Sequence, residues 1–97
     1  MAARLSDAEI AQRLEGLAGW ERTGAGGNAI RKSFSFGKFA DGIRFVDRVA
    51  AAADGLDHHP DIDIRYTTIT MTLSTHSAGG LTARDFELAE RIEQARR

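Results

Sequence analysis

His58, His59 and His76 are the only histidines among 97 residues, and all three lie in the second half of the chain. His58 and His59 are adjacent, Pro60 follows them, and His76 comes after the next apolar run. An imidazole titrates near 6.5, so at neutral pH it can both give and take a proton; a positioned one typically contributes about 10² to 10⁴ in rate. Acid-base catalysis is therefore the first chemistry this pattern suggests. Pro60 restricts the backbone of His59 toward extended geometry. Gly79-Gly80 allows a tight turn after His76 and leads toward a helix whose first amides could face a ligand carbonyl.

Other uses of these residues fit less well. A single histidine at a strand end is ordinarily a surface or hydrogen-bonded residue. Three of them, where a helix ends and where a strand ends, stand at positions where rigid scaffolds present reactive groups. Neighbouring histidines in extended chain point to opposite sides, and structural zinc usually takes four ligands. The chain has no cysteine, so no metal site is expected; thiolate catalysis and disulfides are also excluded. No serine elbow is present. Gly24 to Asn28 (GAGGN) lacks the spacing of a phosphate loop and leads into a strand, not a helix.

Composition narrows the partners. Thirteen basic against fourteen acidic residues give a net charge of −1, which supplies no basic field for a nucleic-acid backbone. Charges interrupt every apolar stretch of MAARLSDAEIAQRLEGL, so neither a signal peptide nor a membrane span is expected and a cytoplasmic location is the default. The length suits one domain over residues 1–97, since a second core would have no room.

The elements that must position the histidines follow from periodicity. Ser6-Asp7-Ala8-Glu9 has capping-box spacing, and Leu5, Ile10, Leu14 and Leu17 recur at helical intervals, predicting a helix from about Ser6 to Leu17. A strand begins at Gly19-Trp20-Glu21-Arg22, GAGGN turns, and Ile30 to Phe36 returns. Phe39 to Ala53 reads as a second helix, with Gly55 placed to end it. Ile62, Ile64 and Tyr66 then alternate with polar residues, as do Ile69, Met71 and Leu73. The change of parity between Tyr66 and Ile69 implies a reversal or bulge. Thr82-Ala83-Arg84-Asp85 is a second capping-box start, and Phe86, Ala89, Ile92 and Ala95 line the last helix. The order α-β-β-α-β-β-α predicts an α+β two-layer sandwich: a four-stranded antiparallel sheet with three helices on one face and the other face polar. A small core and an expected sheet-edge position for Ile30 to Phe36 predict a homo-oligomer.

The motif Asp54, three residues, His58-His59-Pro60, five residues, Tyr66, nine residues, His76, eight residues, Asp85 resembles that of the pterin-4a-carbinolamine dehydratases. Gly19-Trp20, Phe34-x-Phe36-x-x-Phe39, Phe45 to Ala50 and Leu73-Ser74-Thr75-His76 resemble the family in order and spacing too, so the likeness covers essentially the whole chain. The resemblance implies a four-stranded antiparallel sheet with helices on one face, a homodimer or homotetramer, and removal of water from a 4a-hydroxytetrahydropterin left by aromatic amino acid hydroxylases. No cofactor is implied, because the pterin is the substrate.

By the same resemblance, His58 and His76 are the expected acid-base pair, and His59 serves the other stereoisomer. Pro60, Thr75, Ser77, Trp20, Asp85 and Asp54 are the expected substrate-site residues. Each of three has a second reading. Asp85 fits a helix cap, Trp20 fits the core, and Asp54 either orients His58 or lies solvated. Many relatives carry an aromatic residue where this chain has Ile62, which bears on pocket shape and side-chain preference. Relatives in animals double as dimerisation cofactors of homeodomain transcription factors, so the competing expectation is a binding module that stabilises a partner's oligomer.

Overall fold

The computed structural model describes residues 3–97. Helix α1 (Asp7–Glu15) leads to β1 (Glu21–Thr23) and β2 (Ala29–Ser35); α2 (Phe39–Leu56) leads to β3 (Asp61–Arg65) and β4 (Thr68–Leu73); α3 (Ala83–Arg96) ends the chain. The strands form one antiparallel sheet in the order β1-β2-β4-β3. This is the expected α+β arrangement of four strands and three helices.

Register separates the two faces. Ile30 opposes Leu73 and Phe34 opposes Ile69, and these four, with Met71, are buried beneath the helices. Ser33 opposes Thr70, which opposes Asp63, and this row lies on the polar face, where the Ser33 and Thr70 hydroxyls are 2.7 Å apart. Alternation at period two accounts for the division. The helices contribute Ile10, Phe45, Val49, Ala53, Phe86, Leu88, Ala89 and Ile92 to the core. Phe45 is its aromatic centre, with ring centroids 4.9 Å from Phe34 and 5.2 Å from Phe36. Gly42 lets α2 approach the sheet, since a Cβ there would lie 2.8 Å from Ile69 Cδ1.

Three expectations need correction. Strand β2 is interior, not an edge, because β4 takes its second side; β1 and β3 are the edges. Helix α1 is shorter than Ser6–Leu17, with Ser6 as its N-cap. Helix α2 passes through Gly55 and ends after Leu56, where Asp57 adopts the left-handed conformation (φ 49°). Asp57 N–H donates to Asp54 O at 3.2 Å and His58 N–H to Ala53 O at 3.1 Å, the paired closure of a Schellman motif with Asp in the place glycine usually takes. The parity change is resolved by a two-residue reversal, Tyr66-Thr67, with Tyr66 also left-handed (φ 52°). Among the described residues no helix is long and apolar enough to cross a membrane.

Both capping boxes form. In the first, Ser6 Oγ accepts from Glu9 N–H at 3.2 Å and Glu9 Oε1 accepts from Ser6 N–H at 3.0 Å. Donation from the Ser6 backbone, and then from its side chain, holds the Glu9 carboxyl below its ordinary value of 4.5. A depressed carboxyl stabilises the fold above its unfolded pKa, and that contribution disappears as pH falls through the folded value. Ser6→Ala is expected to cost about 1 kcal/mol in thermal melts at pH 7. Destabilisation by Glu9→Ala should be measurable at pH 7 and absent well below pH 4.5; a cost independent of pH would show that the ionised carboxylate is not what caps α1.

Candidate active site

Three segments meet at one end of the sheet. The antiparallel pairing of β3 with β4 sets Asp61 opposite Thr72, so the residues just before β3 and just after β4 are neighbours. His58 and His59 precede β3, Thr75 and His76 follow β4, and the first turn of α3 brings Thr82 and Asp85 to the same place. The loop from Thr75 to Gly80 is closed at its neck: Thr75 N–H donates to Gly80 O at 3.0 Å, and Gly80 N–H donates back at 3.4 Å. His76 therefore opens a short 3-10 turn, His76–Ala78, and does not end β4 as expected. Gly79, at φ 70°, allows that turn to close.

Asp85 is the centre of this arrangement. Its side chain is wholly buried, yet it is saturated with donors. His58 Nε2 lies 2.6 Å from Oδ1, Thr75 Oγ1 donates to Oδ2 at 2.7 Å, and the Thr82 N–H donates to Oδ2 at 2.9 Å. Burying a carboxylate without such partners would cost several kcal/mol. The first-turn position adds the favourable end of the helix dipole. Asp85 is thus both helix cap and histidine partner, and the two readings of it from sequence are compatible.

The direction of the hydrogen bonds can be followed outward. Thr75 spends its proton on Asp85, so the Thr82 hydroxyl, 2.9 Å away, must donate to Thr75. Thr82 Oγ1 in turn accepts from the Arg84 N–H at 3.3 Å. A carboxylate accepts only, so the proton on His58 sits on Nε2 and leaves Nδ1 as the lone pair of the neutral ring. Among the described residues Nδ1 has no hydrogen-bond partner, and no sealed side-chain nitrogen or oxygen lacks one. The free lone pair is therefore open to solvent or ligand, although the residue as a whole is only 9% exposed.

The other expected residues are distributed unevenly. His59 is exposed and its Nε2 lies 2.9 Å from Asp54 Oδ1. Asp54 therefore orients His59 and not His58, because His58 has turned inward to Asp85. His76 and Ser77 are exposed on the loop, and Pro60 is half-buried beside His59. Trp20 is set apart: it packs edge-on against Phe34 and donates Nε1–H to Glu93 at 3.0 Å. Glu93 lies eight residues along α3 from Asp85, roughly 12 Å at helical rise, so Trp20 belongs to the core and not to the wall around the histidines. Thr82 and Arg84 were not singled out from sequence as site residues; the capping box was the only signal for Thr82. Two open hollows of about 480 and 430 Å³ lie elsewhere, the larger on the polar sheet face around Arg31, Ser33, Asp63 and Thr70. Neither is lined by a histidine. Among the described residues no three acidic or histidine side chains converge as a metal-ligand set.

Comparison with known proteins adds an independent line. The Pterin 4 alpha carbinolamine dehydratase family matches residues 3–95. A protein of Roseiflexus sp. (strain RS-1), provisionally named pterin-4-alpha-carbinolamine dehydratase, is 53% identical over 94 residues, covering 97% of this chain and 98% of its own. One of Mycobacteroides abscessus, named in the same provisional way, is 50% identical over 91 residues, covering 94% of each. The crystal structure of a transcriptional coactivator/pterin dehydratase from Brucella melitensis superposes with a TM-score of 0.91 at 34% identity, over 97% of this chain and 99% of that one. A pterin dehydratase-like protein identified as a RuBisCO assembly factor in the alpha-carboxysome superposes at 0.66 with 25% identity, over 79% and 88%. Matched along nearly its whole length in sequence and in fold, the chain belongs to the pterin 4 alpha carbinolamine dehydratase family.

Proposed function

We propose that the protein dehydrates 4a-hydroxytetrahydropterins, releasing water and a quinonoid dihydropterin, in the cytoplasmic recycling of the pterin left by an aromatic amino acid hydroxylase. The observation that carries this reading is the His58 ring, held at Nε2 by buried Asp85 with Nδ1 free. The reaction takes a proton from the ring nitrogen beside the hydroxyl-bearing carbon. That N–H electron pair becomes the second bond of C=N, and the hydroxyl departs with a proton from an acid. No electron changes hands, so no redox cofactor is required, and with imidazoles to take and supply the protons this reading calls for no metal.

With its Nε2 proton committed to Asp85, His58 accepts at Nδ1 and serves as the base, while the carboxylate stabilises the imidazolium that forms. His76, exposed on the adjoining loop, supplies the proton to the departing hydroxyl. His59, steered by Asp54, serves the opposite stereoisomer. Pro60, Thr75 and Ser77 flank these groups in sequence and form the pterin contact region.

A coupled assay with chemically generated carbinolamine tests the reading, and no acceleration over buffer by folded protein would end it. His76→Ala should lower kcat/KM by about 10² or more, roughly 2.7 kcal/mol of transition-state stabilisation, with the melting temperature nearly unchanged. His58→Ala should lose as much activity but also cost about 1–3 kcal/mol of stability, since it removes a donor from a buried carboxylate. His59→Ala should separate the two stereoisomers of the substrate. Activity should survive exhaustive chelation; stoichiometric zinc lost together with activity would overturn the metal-free reading.

We also propose that the protein works as a homodimer or homotetramer. Strand β3 has one unpaired hydrogen-bonding edge, all five of its residues are exposed, and Ile62 and Ile64 remain 37% and 42% accessible on the helix side of the sheet. A second copy paired along this edge would satisfy the backbone and cover the isoleucines. Light scattering should give a multiple of the 10.5 kDa chain mass, and Ile62→Lys with Ile64→Lys should reduce it to monomer. A wild-type monomer at micromolar concentration would reject the proposal.

A further inference from the structure

His58 is gripped at its ring by Asp85, and its main chain follows a turn whose N–H groups, but not its carbonyls, are held by α2 itself. Asp57, the preceding residue, is left-handed at φ 49°, a conformation that costs a residue with a Cβ some energy although Asp tolerates it better than most. The Schellman closure accounts for two N–H groups there. It leaves the last carbonyls of α2 unpaired within the helix.

Arg84 takes the last of them, on Leu56, together with the carbonyl of the cap residue Asp57. One terminal nitrogen of its guanidinium donates to Leu56 O at 3.1 Å and to Asp57 O at 2.7 Å. These are the two carbonyls that lead directly into His58. Arg84 is also the residue immediately before Asp85 in the first turn of α3, and its own N–H donates to Thr82 Oγ1. Consecutive residues of one rigid helix thus hold the same histidine twice, Arg84 through the backbone and Asp85 through the imidazole. The cation also opposes the negative end of the α2 dipole.

We infer that Arg84 is a positioning residue for His58: by clamping the left-handed turn at Asp57 to α3, it keeps Nε2 on Asp85 and Nδ1 aimed at the substrate. This rests on the dehydratase reading for its catalytic consequence, though not for the geometry. Asp85 and the Schellman closure hold the imidazole and the two N–H groups of the turn, but without Arg84 the carbonyls of Leu56 and Asp57 would be released and the turn that carries His58 would gain freedom. Misplacement of a proton acceptor by about 1 Å is enough to cost on the order of 10²-fold in rate.

The matched control is Arg48. Its Nε donates to Ala95 O at 2.8 Å in the last turn of α3, the same kind of arginine–carbonyl bond at the far end of the helix from Asp85. Arg84→Met, Arg84→Lys and Arg48→Met would be compared with wild type by melting temperature, by carbinolamine kinetics per folded molecule, and by the exchange rate of the His58 Nε2 proton in nitrogen-15 spectra. The expected result for Arg84→Met is a fall in kcat of about tenfold or more with KM little changed, and faster exchange of the Nε2 proton. Arg84→Lys, which retains a charged donor able to reach one carbonyl, should recover part of both. Arg48→Met should leave both as in wild type. Equal kcat losses for Arg84→Met and Arg48→Met, or an Nε2 proton exchanging in Arg84→Met as in wild type, would overturn the inference. Should Arg84→Met fail to fold, Arg84→Lys carries the same comparison. Should wild-type protein show no dehydratase activity, the functional reading falls and proton exchange alone decides the role of Arg84.

Discussion

Everything at the sheet end is arranged around a carboxylate that should not be buried unless its surroundings are complete. Asp85 has no solvent exposure, so each lone pair it presents must meet a donor or carry a desolvation cost of several kcal/mol. Its three partners come from three separate parts of the chain: the end of α2, the exit of β4, and its own helix cap. One side chain therefore registers three elements against each other. Placing a carboxylate there also determines which nitrogen of His58 carries the proton, and hence which is available for chemistry. Structural and chemical demands meet in the same hydrogen bond.

That site depends on topology as much as on contact. An antiparallel hairpin returns the chain to where it started, so β3 and β4, joined through Tyr66-Thr67, put residues before Asp61 beside residues after Leu73. The order β1-β2-β4-β3 leaves that pair at one side of the sheet. Helix α3 must then begin at the same end in order to lay Phe86, Leu88, Ala89 and Ile92 over the core. The segments that carry the histidines meet because the hydrophobic patterns of three elements bring them to one end of the sheet, without any attraction among the imidazoles themselves.

Much of this was legible in the residues. Alternation in β2 and β4, helical spacing in α2, and the two capping boxes are local signals, and each element was recoverable from its own stretch of chain. Strand neighbours are not local: nothing within Ile30 to Phe36 says that β4 will take its second side, so its edge position was misjudged. The end of α2 misled for a different reason. Gly55 offers the usual stop signal, but the Schellman closure falls two residues later on Asp57, and the arginine that holds that turn is 27 positions away in sequence. At the site, the histidines announced themselves by type and grouping. Their partners did not, because an aspartate that caps a helix and an aspartate that holds an imidazole look the same in sequence. Trp20 likewise carries no local mark that separates a core indole, bonded to Glu93, from one lining a pocket.

The family's structural neighbours carry two kinds of name, dehydratase on one side and coactivator or assembly factor on the other. The geometry here shows why one fold can accommodate both. The carboxylate-held histidine lies at the end of the β3–β4 hairpin, whereas the unpaired hydrogen-bonding edge and the exposed Ile62, Ile64 and Tyr66 run along its length. Association along that edge adds backbone hydrogen bonds and covers apolar side chains, and uses none of the groups bonded to Asp85. A chain could change what it pairs with by altering the edge and leave its chemistry alone, or lose the histidines and still pair. In this chain the β3 edge is open and carries exposed Ile62 and Ile64 between charged Asp61, Asp63 and Arg65, and the hydrogen-bond network around His58 is complete down to the hydroxyl of Thr82. A module kept only for binding has no physical need to bury a carboxylate under three donors in order to fix the tautomer of one histidine.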